Sequence, residues 1–546
     1  MSQATARQGG AGTGSHGSAP VGRASVGRDA DGRRTHDDDT LGVPGAGRLG
    51  VASLVFLIIA ASAPLTVLAG GVPTSFAVAG ILGVPLGYVL LGAILALFAV
   101  GYGAMSAQIR NAGAFYAYIA AGLGVRQGIG ASVLALVSYN LMQIGLYGIT
   151  GFVVSSFLGA MVGAALPWWA CALAVWALVG LLGINRIDLS AKIIAVLVVL
   201  EFIVVLLVDI VSFTVAPEGV SAAPISPDQL FIPGIGAVLS FGIAAFMGFE
   251  SGAVYSEEVR EPQRSVAKAT FIAVSIIALF YAFSSWALAV GIGPSQIVPR
   301  SEELGPDLVF VFLGEQMPAV FTDIANVLFI TSLLAALLAF HNAAARYFFS
   351  LGRTGVLPRF FENTSHRTGA PIAGSAAQSV LALIVILVFG VVGANAPEGP
   401  LFPVVTLFTW FCNAAAFGLV FLMAITSFAV IGFFVKRGRG EGVHTAADHD
   451  GAPRDTEALR GTAVPGVFTR LVAPLVAGIG LVVVFVLILI NFDLLIGTGS
   501  PVLITVMPGI IIAAGIIGLI RGEYLKRVRP EVFRRAAVEL DEPPVD

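Results

Sequence analysis

The apolar positions of this chain come in long runs, separated by short polar segments. A run of about 20 apolar residues is the length that crosses the hydrocarbon core of a bilayer as a helix. Twelve such runs are legible. The first six are 51–79, 84–108, 127–159, 167–184, 190–213 and 234–256. The second six are 267–293, 317–350, 372–394, 401–435, 469–491 and 501–520. Outside them, 1–49 is rich in Gly, Ala, Ser, Arg and Asp and has no apolar periodicity, so a disordered tail is expected there. It also lacks the apolar core that follows the basic start of a secretory signal. Residues 436–468 read as a polar loop and 521–546 as a second tail. The expectation is an all-α polytopic membrane protein of about twelve transmembrane helices.

Composition agrees. Of 546 residues, 57% are hydrophobic and 12% charged, about half the charge of an ordinary soluble domain, roughly 25%. Charge position then orients the spans. With the N-terminus in the cytoplasm, every Lys and Arg except Arg300 falls on the inner side. That alternation is the positive-inside bias for twelve spans with both ends cytoplasmic, in the cytoplasmic membrane. A net charge of −3 offers no basic surface for nucleic acid. No nucleotide-binding glycine motif with its Lys is present, which leaves ATP-driven transport and enzymatic chemistry without support. Cys171 and Cys412 lie far apart in apolar runs and read as small buried hydrophobes, with no metal or cofactor implied.

Two spans carry interruptions. Span six contains Phe246-Met247-Gly248-Phe249-Glu250-Ser251-Gly252, and span one contains Ser62-Ala63-Pro64-Leu65-Thr66 followed by Gly70-Gly71. Pro64 brings no backbone donor and clashes with the preceding turn. Broken helix is tolerated at membrane depth only where protein or a water-lined cavity covers the freed groups. Two breaks five spans apart have opposite orientation, as an inverted repeat requires, and such pairs point to a transporter's binding site. The outer half of span one would begin at midplane with free N–H groups that suit an anion. The outer half of span six would end there with carbonyls that suit an ammonium. Phe246 and Phe249 read either as a gate over a ligand or as lipid-facing rings.

Other polar positions sort by helical spacing. Tyr139, Gln143 and Tyr147 stack on one side of span three, with Asn140 beside them, as a cavity lining or as interhelical hydrogen bonds. Ser332, Ala336, Ala339 and Ala343 make a close-packing face on span eight. Glu250 lies about 10 Å from the inner end of its span, and Glu201 stands in the middle of "IIAVLVVLEFIVVLLV". Acids at such depth are costly unless protonated or paired. Glu201 is a proton carrier, a partner for a cation, or an acid paired to a neighbouring helix. His341 pairs with one of these acids or is solvated at its helix end. Arg110, Arg346 and Arg353 lie near Glu257, Glu258 and Glu261 by topology, as an inward latch or as solvated loop charge.

Three stretches together resemble the amino acid–polyamine–organocation (APC) permease superfamily: "GFES" with "EEVREPQRSVAKA", "RNAGAFYAY" from Arg110 to Tyr118, and "NAAARYFFSLGRTGVLPRFF" from Asn342 to Phe361. The resemblance covers about residues 50–520. It implies a five-plus-five inverted repeat with helices one and six broken, spans eleven and twelve peripheral, and a substrate site between the breaks lined by spans three and eight. That assigns Ser62, Ala63, Pro64, Leu65, Thr66, Tyr139, Gln143, Phe246, Met247, Gly248 and Phe249 to the substrate. It assigns Glu201, Glu250, Thr331 and Ser332 to ion coupling, since adjacent hydroxyls at the depth of Thr331-Ser332 ligate sodium in this fold. In proton-coupled relatives a Lys often stands near the place of Glu201. The Gly-small-Gly run that many amino acid permeases carry in span one is replaced here by Ser62-Ala63-Pro64-Leu65. The implied function is a secondary active importer of amino acids or related amines, coupled to protons or to sodium. A polyamine carrier, an exchanger of the same fold and a non-transporting ligand sensor stay open beside it.

Overall fold

A computed structural model describes residues 50–109, 115–185, 191–250, 262–365, 369–438, 465–497 and 500–541. Among them there is no β-strand. In chain order the principal helices are α1 (Val51–Ala61), α2 (Val72–Ala79), α3 (Val84–Ser106), α4 (Phe115–Leu123), α5 (Val125–Val162), α6 (Trp168–Ile184) and α7 (Ala191–Val215). There follow α8 (Ile235–Phe246), α9 (Pro262–Ile292), α10 (Ala319–Arg353), α11 (Ile372–Val392), α12 (Thr409–Gly438), α13 (Ala473–Ile490) and α14 (Pro501–Val528).

Among the described residues, ten segments are long and apolar enough to cross a membrane, with α1, a π-helical turn at Thr66–Gly71 and α2 counted as one. Two more apolar helices, α6 and α8, are shorter. Each of the twelve apolar runs overlaps one of these segments. The protein is a multi-pass membrane protein. Length explains where its backbone must be interrupted. The 12 residues of α8 and the 11 of α1 rise about 18 and 16 Å, roughly half of a 30 Å hydrocarbon core. Each is therefore too short to cross that layer by itself.

Around these half-helices the long helices form the scaffold. α3 packs along α9, and α5 is the hub against which α10, α12 and α14 lie. The α3–α9 seam depends on small residues: a Cβ on Gly92 would come 2.3 Å from the Ala278 methyl. With no solvent to drive helices together in lipid, such close backbone approach supplies the packing contact. The periphery is apolar and outward-facing. On α11, Val380, Ile384, Val388, Val391 and Val392 are all more than half exposed. α13 and α14 likewise have fewer than half of the residues of their most apolar stretch buried.

Candidate functional site

α1 ends at Ala61, and the N–H groups of Ser62 and Ala63 fall back on the carbonyls of Ile59 and Ala60, 3.1 Å each. Ala63 has φ +45°, a left-handed conformation that non-glycine residues hold only where their surroundings enforce it. The helix restarts at Pro64, where a missing N–H and a fixed φ suit a first helical position. A helix start leaves amides without an intrahelical partner. Here the Leu65 N–H donates to Oε2 of Glu201 at 3.2 Å, across 136 residues of sequence. An anionic carboxylate is the favourable charge at that end of the dipole. The Thr66 hydroxyl donates to Ser332 Oγ at 3.0 Å, and the Tyr281 hydroxyl to the Ser62 carbonyl at 2.9 Å. The Ser332 hydroxyl is itself within reach of Glu201. α1, α7, α9 and α10 therefore all meet at this break.

The second break begins where α8 ends. Met247 leaves the helix with φ −56° and ψ 135°, and Gly248 follows with φ +105°. Only glycine adopts that conformation without strain. Space excludes a side chain as well, because a Cβ on Gly248 would lie 2.8 Å from the Ala61 carbonyl oxygen. The two breaks are thus in direct contact. Glu250, 4% exposed, accepts the Gly248 N–H at 2.9 Å on Oε2 and the Tyr139 hydroxyl on Oε1. The Tyr102 hydroxyl donates to the Glu250 carbonyl at 3.4 Å. Around it lies an aromatic layer: Tyr139 stacks on Tyr347, Tyr102 on Phe98, and Phe249 meets Phe98 edge-on.

Between the breaks is a cavity of about 50 Å³. Ser62, Ala63, Thr66 and Met247 line it, with Met142 and Leu146 from α5, Ala336 and Phe340 from α10, and Phe408 and Cys412 from the start of span ten. The other candidate substrate residues sit behind this surface. Leu65 and Gly248 are one step back, bonded to Glu201 and Glu250 respectively. Phe246 and Phe249 are fully buried in protein, not lipid-facing, with Phe246 against Tyr88 and Tyr281. Tyr139 and Gln143, one turn apart on α5, serve different neighbours. Tyr139 holds Glu250, whereas Gln143 joins Tyr147, His341 and Gln378 in a buried polar cluster between α5, α10 and α11. His341 is not solvated: it is 1% exposed, with Gln143 on one ring nitrogen and Ser375 on the other.

Of the hydroxyl pair, Ser332 faces the break while Thr331 bonds back to its own helix at the Leu328 carbonyl. On the same helix Ala339 is exposed, so the small-residue face is not continuous. Arg346 is exposed and Arg353 lies over the Phe349 ring at 5.9 Å. Arg110, Glu257 and Glu258, the rest of the expected latch, lie outside the described residues, as do Glu261, Ser251 and Gly252.

The amino acid permease family model matches residues 54–439, well over half the chain and including both breaks. The chain belongs to the amino acid permease family. A relative of this permease, the "Cationic amino acid transporter 4, vacuolar" of Arabidopsis thaliana, is 31% identical over 163 residues, 29% of this chain and 26% of the relative. The "Low-affinity putrescine importer PlaP" of Escherichia coli (strain K12) is 22% identical over 291 residues, 52% of this chain and 62% of the relative. The matched segment is less than two thirds of either relative.

Two buried polar residues on the helices around the first break escaped sequence reasoning. Tyr281, which fastens the first break, looked like any tyrosine of an apolar run. Asp209, 2% exposed on α7, carried the same signal as Glu201, a lone acid among aliphatic residues, and its context "LLVDIV" was open to the same reading.

Proposed function

We propose that this permease imports a small amino acid or amine across the cytoplasmic membrane, both chain ends cytoplasmic, with the proton gradient as driving force and Glu201 as the proton carrier. The family and the two relatives, whose names refer to a cationic amino acid and to putrescine, support the solute class. One observation carries the coupling: the Glu201 carboxylate caps the Leu65 N–H at the start of the outer half-helix.

A charge-assisted hydrogen bond is roughly twice as strong as a neutral one. Protonating Glu201 weakens its hold on Leu65 and leaves the positive end of that half-helix without its anion. A substrate carboxylate arriving at the cavity beside Ser62 and Thr66 then becomes the anion nearest that helix end. Its ammonium faces the C-terminal end of α8. Loss of the proton restores the Glu201 cap and expels the carboxylate. Proton and substrate thus load together and leave together, as symport requires. Uptake in proteoliposomes, with pH and sodium gradients imposed separately, tests this. Stimulation by the inward proton gradient alone is expected, and a strict requirement for sodium at constant pH would overturn it.

A second reading is favoured by the same contact. Because the chain already supplies a carboxylate at Leu65, a solute with no carboxylate of its own fits beside it, with Glu201 as counter-ion to the amine. Binding of decarboxylated amines as tightly as their parent amino acids would select this reading. A large loss of affinity on decarboxylation would select the first, since a buried donor left unpaired costs roughly 1–3 kcal/mol.

A further inference from the structure

The cavity between the breaks has two unlike walls. One is made by the breaks themselves, with the hydroxyl-bearing residues Ser62 and Thr66 and the C-terminal end of α8 at Ala244, Ala245 and Met247. Helix ends leave backbone groups without an intrahelical partner, so this wall suits the charged ends of an amino acid. The other wall comes from the scaffold. Met142 and Leu146 of α5, Ala336 and Phe340 of α10, and Phe408 and Cys412 of span ten form it. Phe241 lies beside it, its ring centroid 6.5 Å from that of Phe408.

Among the described residues, no charged, amide or hydroxyl side chain stands on the scaffold wall. Its one weak donor, the Cys412 thiol, is turned to the Met142 carbonyl at 3.8 Å. The polar residues of α5 are close by in sequence but serve other neighbours. Met142 and Leu146 are one turn apart and share a face of the helix, whereas Tyr139 holds Glu250, and Gln143 and Tyr147 join the His341 cluster. The acids at the breaks are engaged as well. Glu201 accepts the Leu65 N–H, Glu250 accepts the Gly248 N–H and the Tyr139 hydroxyl, and neither lines the cavity.

A solute side chain that reaches the scaffold wall therefore meets only apolar surface and a thiol. An ammonium or guanidinium there would be buried without a partner, which is costly, whereas an aliphatic group gains by leaving water. Size limits the group further. A cavity of about 50 Å³ has room for roughly three to five waters, so the side chain is short.

We infer that this permease selects a neutral amino acid with a short aliphatic side chain, of alanine to valine size. Its carboxylate and ammonium lie at the breaks and its side chain lies against Met142, Leu146, Ala336 and Phe340. The inference rests on the proposed reading of the breaks as the site of a transported amino acid.

The test is gradient-free exchange of labelled valine by the full chain in proteoliposomes, in which the driving ion plays no part. Unlabelled alanine, diaminobutyrate and putrescine compete. Diaminobutyrate has as many non-hydrogen atoms as valine but ends in a second ammonium, so it separates charge from size. Alanine is expected to half-inhibit within tenfold of valine itself, and diaminobutyrate and putrescine only at concentrations at least tenfold higher than valine. Diaminobutyrate or putrescine competing within less than tenfold of valine would overturn the apolar selection. So would exchange of labelled diaminobutyrate by a chain that does not exchange valine. Absence of exchange with every one of these solutes, by a correctly inserted chain, would instead sink the amino acid reading of the site. Ala336→Leu narrows the scaffold wall and is expected to raise the ratio of the valine to the alanine half-inhibiting concentration at least tenfold. An unchanged ratio in the inserted variant would overturn the placing of the side chain there. Should that variant fail to insert, the competition series on the parent chain still decides the selection.

Discussion

The two breaks each meet a buried carboxylate, but they come by it differently. The sixth-span break brings its own. Glu250 is two residues from Gly248, bonds that residue's N–H, and is clamped from α5 by Tyr139. The first-span break borrows one. Glu201 reaches Leu65 from another helix, with Ser332 and Thr66 of two further elements beside it. Glu250 keeps one bond inside its own turn and one to α5, so it stays anchored to its break when the interhelical bond changes. Glu201 has bonds only to other helices, so a change in its charge bears directly on how those helices are held together. The proposed mechanism accordingly takes Glu250 as the structural acid and Glu201 as the switching one.

The largest effect should come from the point where both breaks meet. Gly248→Leu places a branched side chain where even a Cβ would lie 2.8 Å from the Ala61 carbonyl oxygen, and forces φ +105° on a residue that resists it. Uptake should fall more than a hundredfold while membrane insertion persists. Normal transport by a well-expressed Gly248→Leu chain would remove the substrate site from this place.

Next in size is the exchange of charge at Glu201. Glu201→Gln mimics the protonated acid and should abolish accumulation against a gradient while leaving substrate exchange, now insensitive to pH. Glu250→Gln and Tyr139→Phe should instead lower the melting temperature and slow transport a few-fold, because a buried hydrogen bond to a charged group contributes about 1.5–3 kcal/mol. Their pH profile should keep its parental shape. If Glu250→Gln flattens the profile and Glu201→Gln does not, the assignment of the two acids reverses.

How much of this could be read beforehand follows from the same contrast. The helical segments, both breaks and both acids were legible, because run length, Gly and Pro placement and a lone Glu are local signals. The Glu250 contacts were half legible, since Gly248 is its neighbour in sequence. The bond between Leu65 and Glu201 was not, because no local pattern states which face of one span meets which depth of another 136 residues away. Tyr139 and Gln143 illustrate the limit. Helical spacing put them on one side of α5, but not which neighbour each would meet, and a single turn separates the Glu250 site from the His341 cluster. Hydroxyl pairs mislead for a related reason. Thr331 and Ser332 are adjacent in sequence but about 100° apart around the helix, so only Ser332 reaches the break.

The smallest effect is expected from an acid that belongs to neither break. Asp307 lies outside the membrane spans, in the turn Gly305–Asp307, half-buried. Burial pushes its carboxyl from 3.8 up to about 6, partly offset by a hydrogen bond with Ser156. The folded chain thus holds this proton more tightly than the unfolded chain does. Stability is fullest below about pH 4, falls as pH rises toward 6, and carries the whole penalty above that. With screening by the solvent that still reaches the site, the penalty is about 1–2 kcal/mol. Asp307→Asn, neutral throughout, should melt higher than the parent above pH 6 and within error of it at pH 4, by thermal unfolding in detergent between pH 4 and 8. Its uptake should follow the parental pH profile, because this acid touches neither Leu65 nor Gly248. A profile shifted as far by Asp307→Asn as by Glu201→Gln would mean that pH acts on transport from the edge of the protein, and the distinction between the borrowed and the resident carboxylate would lose its functional content.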